Sequence, residues 1–282
     1  VGDISDEALV HNAIENLSAG IPYPYELSGN CKDYRDYGKQ RISSAEIVDY
    51  GEEILAKLRA EYDDFSFSEG FFTNEVTIQM KNTQGLDLEY RDSYISIGLV
   101  IKDKKSANIF DGFLGYYGRS FDMEKFWAFN EEVLEAYRNQ VPLPKGDTLP
   151  VFTFEVYELK KFLSRSLNGE LYATGGSIFS NKMGDKLFNE KITIKQDRNP
   201  ANYPRPFFDM EGVVLKDDSY TLVKEGKLVG VYTDKRTASN YNLPHTGAAS
   251  GAYDGMPTLA DAPLRFAVDS DDIKAALNGQ MA

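Results

Sequence analysis

The chain has 282 residues, 42% of them hydrophobic, which is enough for one large or two ordinary folded domains and argues against disorder. Lys and Arg number 31 against 44 Asp and Glu, a net charge of −13, whereas a nucleic-acid surface needs clustered positive charge. Direct contact with nucleic acid is therefore not expected. The longest nearly unbroken apolar run, Tyr94 to Ile101, is too short to cross a bilayer, so no membrane partner is expected either. One cysteine, Cys31, excludes an intrachain disulfide framework and a cysteine-only metal site. The two histidines, His11 and His245, stand in no ligand-like spacing. A reducing, cytoplasmic setting is the default expectation for such a chain.

Up to about Gln40 the chain mixes Gly, Pro, Tyr and charge, and it reads as a connecting segment with one short helix near Glu7 to Leu17. Ser43 and Glu46 have the spacing of a capping box, in which each side chain satisfies the other residue's free amide. Ile47, Tyr50, Ile54 and Leu58 then recur at helical spacing and predict a helix from about Ala45 to Tyr62. Val76, Ile78 and Met80 alternate with polar residues as in a half-buried strand, Asn82 to Gly85 makes a turn, and Leu86, Leu88 and Tyr90 resume the alternation. Ser93 to Ile101 reads as a third strand. Asp122 can cap a helix from Met123 to about Gln140, with Phe126, Trp127, Val133, Leu134 and Tyr137 facing inward. Pro142, Pro144 and Gly146 stop it and mark a domain boundary, dividing the chain into residues 1–145 and 146–282.

The second part predicts a short strand from Leu149 to Phe152 and a helix from Phe154 to Leu167, ended by a left-handed cap at Gly169. Strands are expected at Ile192–Lys195, Gly212–Leu215, Tyr220–Val223 and Leu228–Tyr232, with Glu225-Gly226 at a hairpin turn. Thr246 to Gly255, rich in Gly and Ala, reads as a mobile loop. The expected fold class is α+β, helices with antiparallel strands first and then a β-rich antiparallel sheet or barrel-like half.

Several pieces of this half resemble a known family. Pro206-Phe-Phe-Asp-Met-Glu-Gly212, Leu222-Val-Lys-Glu-Gly-Lys-Leu-Val-Gly230, Tyr232 to Ala238 and Leu243-Pro-His-Thr-Gly247 are similar, in order, to elements of the TldD/PmbA family. That family was named for modulation of DNA gyrase and is understood as a two-subunit metalloprotease system. Its Phe-Asp-Asp-Glu-Gly element appears here with Met210 for the second Asp, and its Thr-Gly-Asn loop with Ala248 for the Asn. The resemblance covers Thr148 to Gly247 and continues collinearly from Glu46 to Tyr137. Family members extend past both ends of this chain, so it resembles a fragment or shortened variant.

The resemblance also implies a division of labour. The catalytic TldD-type subunit carries His-Glu-x-x-x-His on a helix, two nitrogens for a metal and a Glu to activate its water, completed by a later Cys. Aligned on Gly176-Ser-Ile-Phe-Ser180, those positions hold Lys160, Lys161 and Arg165, which offer no free lone pair at neutral pH and repel a cation. The chain thus resembles the PmbA (TldE-type) subunit, with no catalytic residue, metal or cofactor of its own. The implied partners are a TldD-type catalytic subunit or a second copy, and an extended peptide.

Each candidate has a plainer reading. Lys160, Lys161 and Arg165 could be a solvated helix face, and His245 an ordinary loop histidine. Asp209 and Glu211 would share one strand face as a polar clamp on peptide or partner; alternatively, they belong to a turn ahead of Gly212. Thr246 and Gly247 could admit a peptide backbone or form a slack loop. Phe110, Phe113, Tyr116, Tyr117 and Phe121 suggest an inter-strand core or subunit contact, and Asp217-Asp218 and Asp271-Asp272 read as turn and solubility residues. Two other functions stay open: a self-sufficient peptidase built on Asp209, Glu211 and His245, and a non-enzymatic interaction protein.

Overall fold

In the computed structural model, which describes residues 4–20, 23–39, 42–139, 157–252 and 255–267, local chemistry sets the helices. Ser43 Oγ accepts the Glu46 amide at 3.2 Å and the Glu46 carboxylate accepts the Ser43 amide at 2.8 Å, so α2 (Ser44–Glu61) starts at a closed capping box. Asp122 caps α3 (Met123–Arg138) through the Lys125 amide at 3.1 Å. Helix α1 (Asp6–Ser18) buries none of its residues.

One four-stranded sheet dominates the first part. Strands β2 (Phe65–Lys81) and β3 (Asp87–Asp103) each run 17 residues and pair antiparallel along their whole length. β4 (Gly112–Gly118) pairs antiparallel with β3, and β1 (Lys32–Asp36), which the sequence reading missed, pairs with β3 in parallel. The two strands expected at Leu86 to Tyr90 and Ser93 to Ile101 are therefore one. Along β3 the buried positions are Leu88, Tyr90 and Asp92, and then Ser93, Ile95, Ile97, Leu99 and Ile101. Successive side chains of a strand point to opposite faces. The change of parity at Asp92/Ser93 thus means that β3 serves two cores, one on each face.

The first core lies between the sheet and α2 and α3, and it holds Ile54, Leu58, Ile95, Leu99, Ile101, Phe126 and Leu134. Asn130 of α3 ties the helix to β4, accepting the Gly115 amide at 3.0 Å and donating to the Gly115 carbonyl at 3.1 Å. Tyr116 and Phe121 pack on this core, whereas Phe110, Phe113 and Tyr117 face outward.

In the second part, strands β5 (Thr193–Asp197), β6 (Ser219–Lys224), β7 (Lys227–Leu228) and β10 (Leu264–Ala267) form an antiparallel sheet in the order β10-β5-β6-β7. Helix α4 (Tyr157–Leu167) packs Leu163 and Leu167 on it beside Ile194, Leu222, Val223 and Tyr232. Glu225 and Gly226 both take positive φ, 48° and 78°, which closes the β6–β7 hairpin as expected. The chain is α+β, with no closed barrel among the described residues.

Four local expectations are corrected. Gly169 does not cap a helix but begins α5 (Gly169–Thr174), where a Cβ would stand 2.5 Å from Thr233 Cγ2; the left-handed cap is Gly175. At 212–215 there is only a single bridge, Phe208 to Val214, and the strand expected at Leu228–Tyr232 stops at Leu228. The presumed mobile loop is buried from Thr246 to Ala249, and its β8 (Ala249–Ser250) pairs with β9 (Thr258–Leu259). The 145/146 boundary, the strand at Leu149–Phe152 and Asp271-Asp272 lie outside the described residues.

The second core on β3 joins the two parts. Leu86, Leu88 and Tyr90 pack against Phe207 and Phe208. Around them, Arg35 reaches Asp218 at 2.7 Å and covers the Phe207 ring at 3.9 Å. Arg119 grips the buried Asp92 at 2.8 and 2.7 Å and donates to the Pro200 carbonyl at 2.5 Å. Tyr117 stacks on Tyr203 with ring centroids 5.0 Å apart.

Candidate functional site

Asp209 and Glu211 sit in a turn at this seam rather than on a strand. Asp209 Oδ1 accepts the amides of Glu211 and Val213 at 3.0 and 2.9 Å, and Oδ2 accepts the Ala249 amide at 3.0 Å. One carboxylate therefore closes its own turn and fixes the segment that follows Gly247. Burial pushes the Asp209 carboxyl above its ordinary range against the pull of those amides. Gly212 takes φ 72°, and Leu86 Cδ2 lies 2.5 Å from where its Cβ would stand, so the turn needs glycine on both counts.

Glu211 leaves this turn in the opposite direction, toward the first part of the chain. Its Oε1 accepts Tyr23 Oη at 2.7 Å, and its Oε2 accepts the Lys235 amide at 2.9 Å and lies 3.2 Å from His245 Nε2. Burial works against the Glu211 charge, but hydrogen bonds from His245, Tyr23 and the Lys235 amide outweigh it and hold the carboxyl below its usual value. The Tyr23 hydroxyl is pushed up, by burial first and then by Glu211.

Thr233, Asp234 and Thr246, later in the chain, hold His245 in reach. Asp234 caps α6 (Lys235–Tyr241) by accepting the Thr237 amide at 2.7 Å, and its other carboxylate oxygen is buried without a partner among the described residues. Thr233 and Thr246 exchange hydrogen bonds, Thr233 N–H to Thr246 Oγ1 at 2.8 Å and Thr246 N–H to Thr233 Oγ1 at 3.2 Å. Gln196 and Arg198 donate to the carbonyls of Thr246 and Gly247.

Of the five residues expected to contact peptide or partner, Glu211 lines an open cavity of about 530 Å³. Its walls include Leu27, Met80, Leu86, Met210, Met256 and the Lys235 stem, and thioethers adapt to varied apolar shapes. Asp209, Gly212, Thr246 and Gly247 are buried in the scaffold behind it. A second cleft of about 490 Å³, beside Tyr25 and His245, shares Leu27, Ser28 and Lys235 with the first. Tyr23, Ser28 and Lys235 escaped the sequence reading. The first two lie in the stretch taken for a connector, and Lys235 carries its role partly through its backbone amide.

Asp209, Glu211 and His245 bring their ligand atoms within 4.8 Å of one another, among the described residues the one such group of His, Cys and carboxylates. A cation there would compete with backbone amides for both Asp209 oxygens and with three donors for Glu211. Lys160, Lys161 and Arg165 lie exposed on α4. These cationic side chains do not fit a divalent metal.

Residues 151–278 match the family model of the PmbA/TldA metallopeptidase C-terminal domain. This stretch is a domain of the PmbA/TldD kind, and over it the chain is similar to the TldD/PmbA family. It is 23% identical over 275 residues to an uncharacterised protein of Methanocaldococcus jannaschii, covering 93% of this chain and 62% of that one. It is 28% identical over 97 residues to a metalloprotease of Methanothermobacter thermautotrophicus, covering 34% of this chain and 21% of that protein. In fold it is similar to the crystal structure of TldE from Thermococcus kodakarensis, with a TM-score of 0.68 at 17% identity, over 98% of this chain and 66% of TldE. The chain thus spans less than two thirds of the length of these relatives. No helix among the described residues is long and apolar enough to cross a membrane.

Proposed function

We propose that this TldD/PmbA chain is the metal-free, non-catalytic subunit of a cytoplasmic peptidase assembly. It holds extended peptides, while a TldD-type partner supplies the metal and its water. The observation that carries this reading is the cationic face of α4. The family's catalytic helix presents nitrogen ligands, and here the aligned positions are Lys160, Lys161 and Arg165, exposed and unable to coordinate. The methionine-lined cleft beside Glu211 supports the peptide role, because it offers adaptable apolar walls with a few fixed polar groups.

The test is zinc content and peptide turnover of the chain alone and then with a TldD-type partner. No stoichiometric zinc and no turnover alone, with turnover of the pair altered by this chain, is the expected result. Stoichiometric zinc together with turnover by the isolated chain would reject it. The proximity of Asp209, Glu211 and His245 favours a second reading, a self-sufficient metallopeptidase. Under that reading a chelator and His245→Ala would each abolish turnover by the chain alone.

A further inference from the structure

A third cleft, of about 380 Å³, lies apart from the Glu211 site and brings Lys160 of α4 together with Arg205 and Arg265. The Arg205 guanidinium is stacked over the Tyr203 ring at 4.7 Å, and Tyr203 is itself stacked on Tyr117. Among the described residues Arg205 donates no hydrogen bond and forms no ion pair, and its Nε is buried without a partner. Burial is also what pulls its affinity for its proton down. The one carboxylate in the cleft, Asp197, is already engaged. Oδ1 accepts the Asn199 amide at 2.9 Å, and Oδ2 accepts Asn202 Nδ2 at 2.8 Å and faces Arg265 at 3.3 Å. In a chain of net charge −13, three cations against one occupied carboxylate mark a local site for an anion.

We infer that this cleft binds the terminal carboxylate of an extended peptide. A planar guanidinium whose terminal nitrogens have no acceptor among the described residues suits bidentate capture of a carboxylate, and stacking on Tyr203 holds that plane in place before the ligand arrives. Pro263, Leu264 and the Tyr203 ring add apolar wall for the residue that bears the carboxylate. The cleft also adjoins β10, the outer strand of its sheet among the described residues, where an extended chain can add as a further strand. This inference rests on the peptide-holding reading above.

The experiment is calorimetric titration of the full chain with an N-acetylated hexapeptide as free acid and as C-terminal amide, with inorganic phosphate and acetate as further probes. The acid should bind about tenfold or more tightly than the amide, as expected for a charge-assisted pair. Arg205→Met should erase the preference. The doubly exposed pair Lys160→Gln and Arg265→Gln, which leaves the core untouched, should reduce it several-fold, about half a log unit or more. Equal binding of acid and amide overturns the anion site while leaving peptide holding intact, as does a preference that survives Arg205→Met. Phosphate binding that depends on Arg205, with no binding of either peptide, overturns the peptide source and the peptide-holding reading with it.

Discussion

Replacing Gly212 by alanine tests the seam directly. At φ 72° an alanine pays about 1–2 kcal/mol for left-handed backbone. Its Cβ would also meet Leu86 Cδ2 at 2.5 Å and Met80 Sδ at 3.0 Å, both ends of side chains that must shift within a packed contact, at about 1–3 kcal/mol. Stiffening of the unfolded chain returns about 0.4–1 kcal/mol. The net loss is therefore about 1–5 kcal/mol. Gly175→Ala is the control, because it has φ 81° but nothing within 4 Å of its new Cβ. It carries the backbone cost alone, about 0–1.6 kcal/mol after the same offset. The measurement is the denaturant midpoint of both variants at pH 7 with unchanged slope, supported by melting curves that move roughly 2–4 °C per kcal/mol. Destabilisations equal within about 0.5 kcal/mol would show that the Leu86 and Met80 contact does not constrain the turn, and would refute the packing reasoning.

Ser43→Ala removes one half of a closed capping box and should cost about 1 kcal/mol of stability, read by chemical denaturation. Arg119→Ala leaves the fully buried Asp92 carboxylate without its cation and should cost about 3–5 kcal/mol; adding Asp92→Asn should recover part of that loss. Glu211→Gln should cost about 1–3 kcal/mol at neutral pH, because charge-assisted bonds to Tyr23, Lys235 and His245 are weakened. The native carboxyl is held below its ordinary value of 4.5, so the stabilisation is complete above that pH and is lost as the pH falls through the lowered folded value. Stability of wild type and variant followed down to acid pH should converge, and a constant difference would contradict the assignment.

The helices were legible because their signals are local. Ser43, Glu46 and Asp122 announce their caps within three residues, and Ile47, Ile54 and Leu58 carry the 3.6-residue period of a one-sided helix. The long hairpin was legible only in part. Strand β3 changes its buried parity at Asp92/Ser93 because its two halves face different cores, and a strand that alternates faces reads as two when only one core is assumed. The first half of β2, Phe65 to Thr73, escaped because Phe71 and Phe72 stand side by side and break the alternation, with Phe71 packed on the core and Phe72 exposed. Strand β1 has charged residues at four of its five positions, and its pairing with β3 is parallel and distant in sequence, so nothing local identifies it.

The site divides along the same line. Asp209 and Gly212 could be read as a turn because an aspartate two and four residues ahead of free amides, followed by glycine, is a short-range solution to a short-range need. The partners of Glu211 could not be found in this way. Tyr23 is 188 residues away, and His245 comes within reach only because Thr233 and Thr246 fasten the chain on either side of α6. A buried carboxylate cannot remain ionised without donors, so its presence in the sequence predicts that partners exist but not where they come from. Only the fold, by laying the Tyr23 segment across the turn at Gly212, supplies them. That dependence makes Glu211 a reporter for the seam. A change that separates the two parts removes the Tyr23 donor first, because Lys235 and His245 belong to the same part as Glu211 and stay with it.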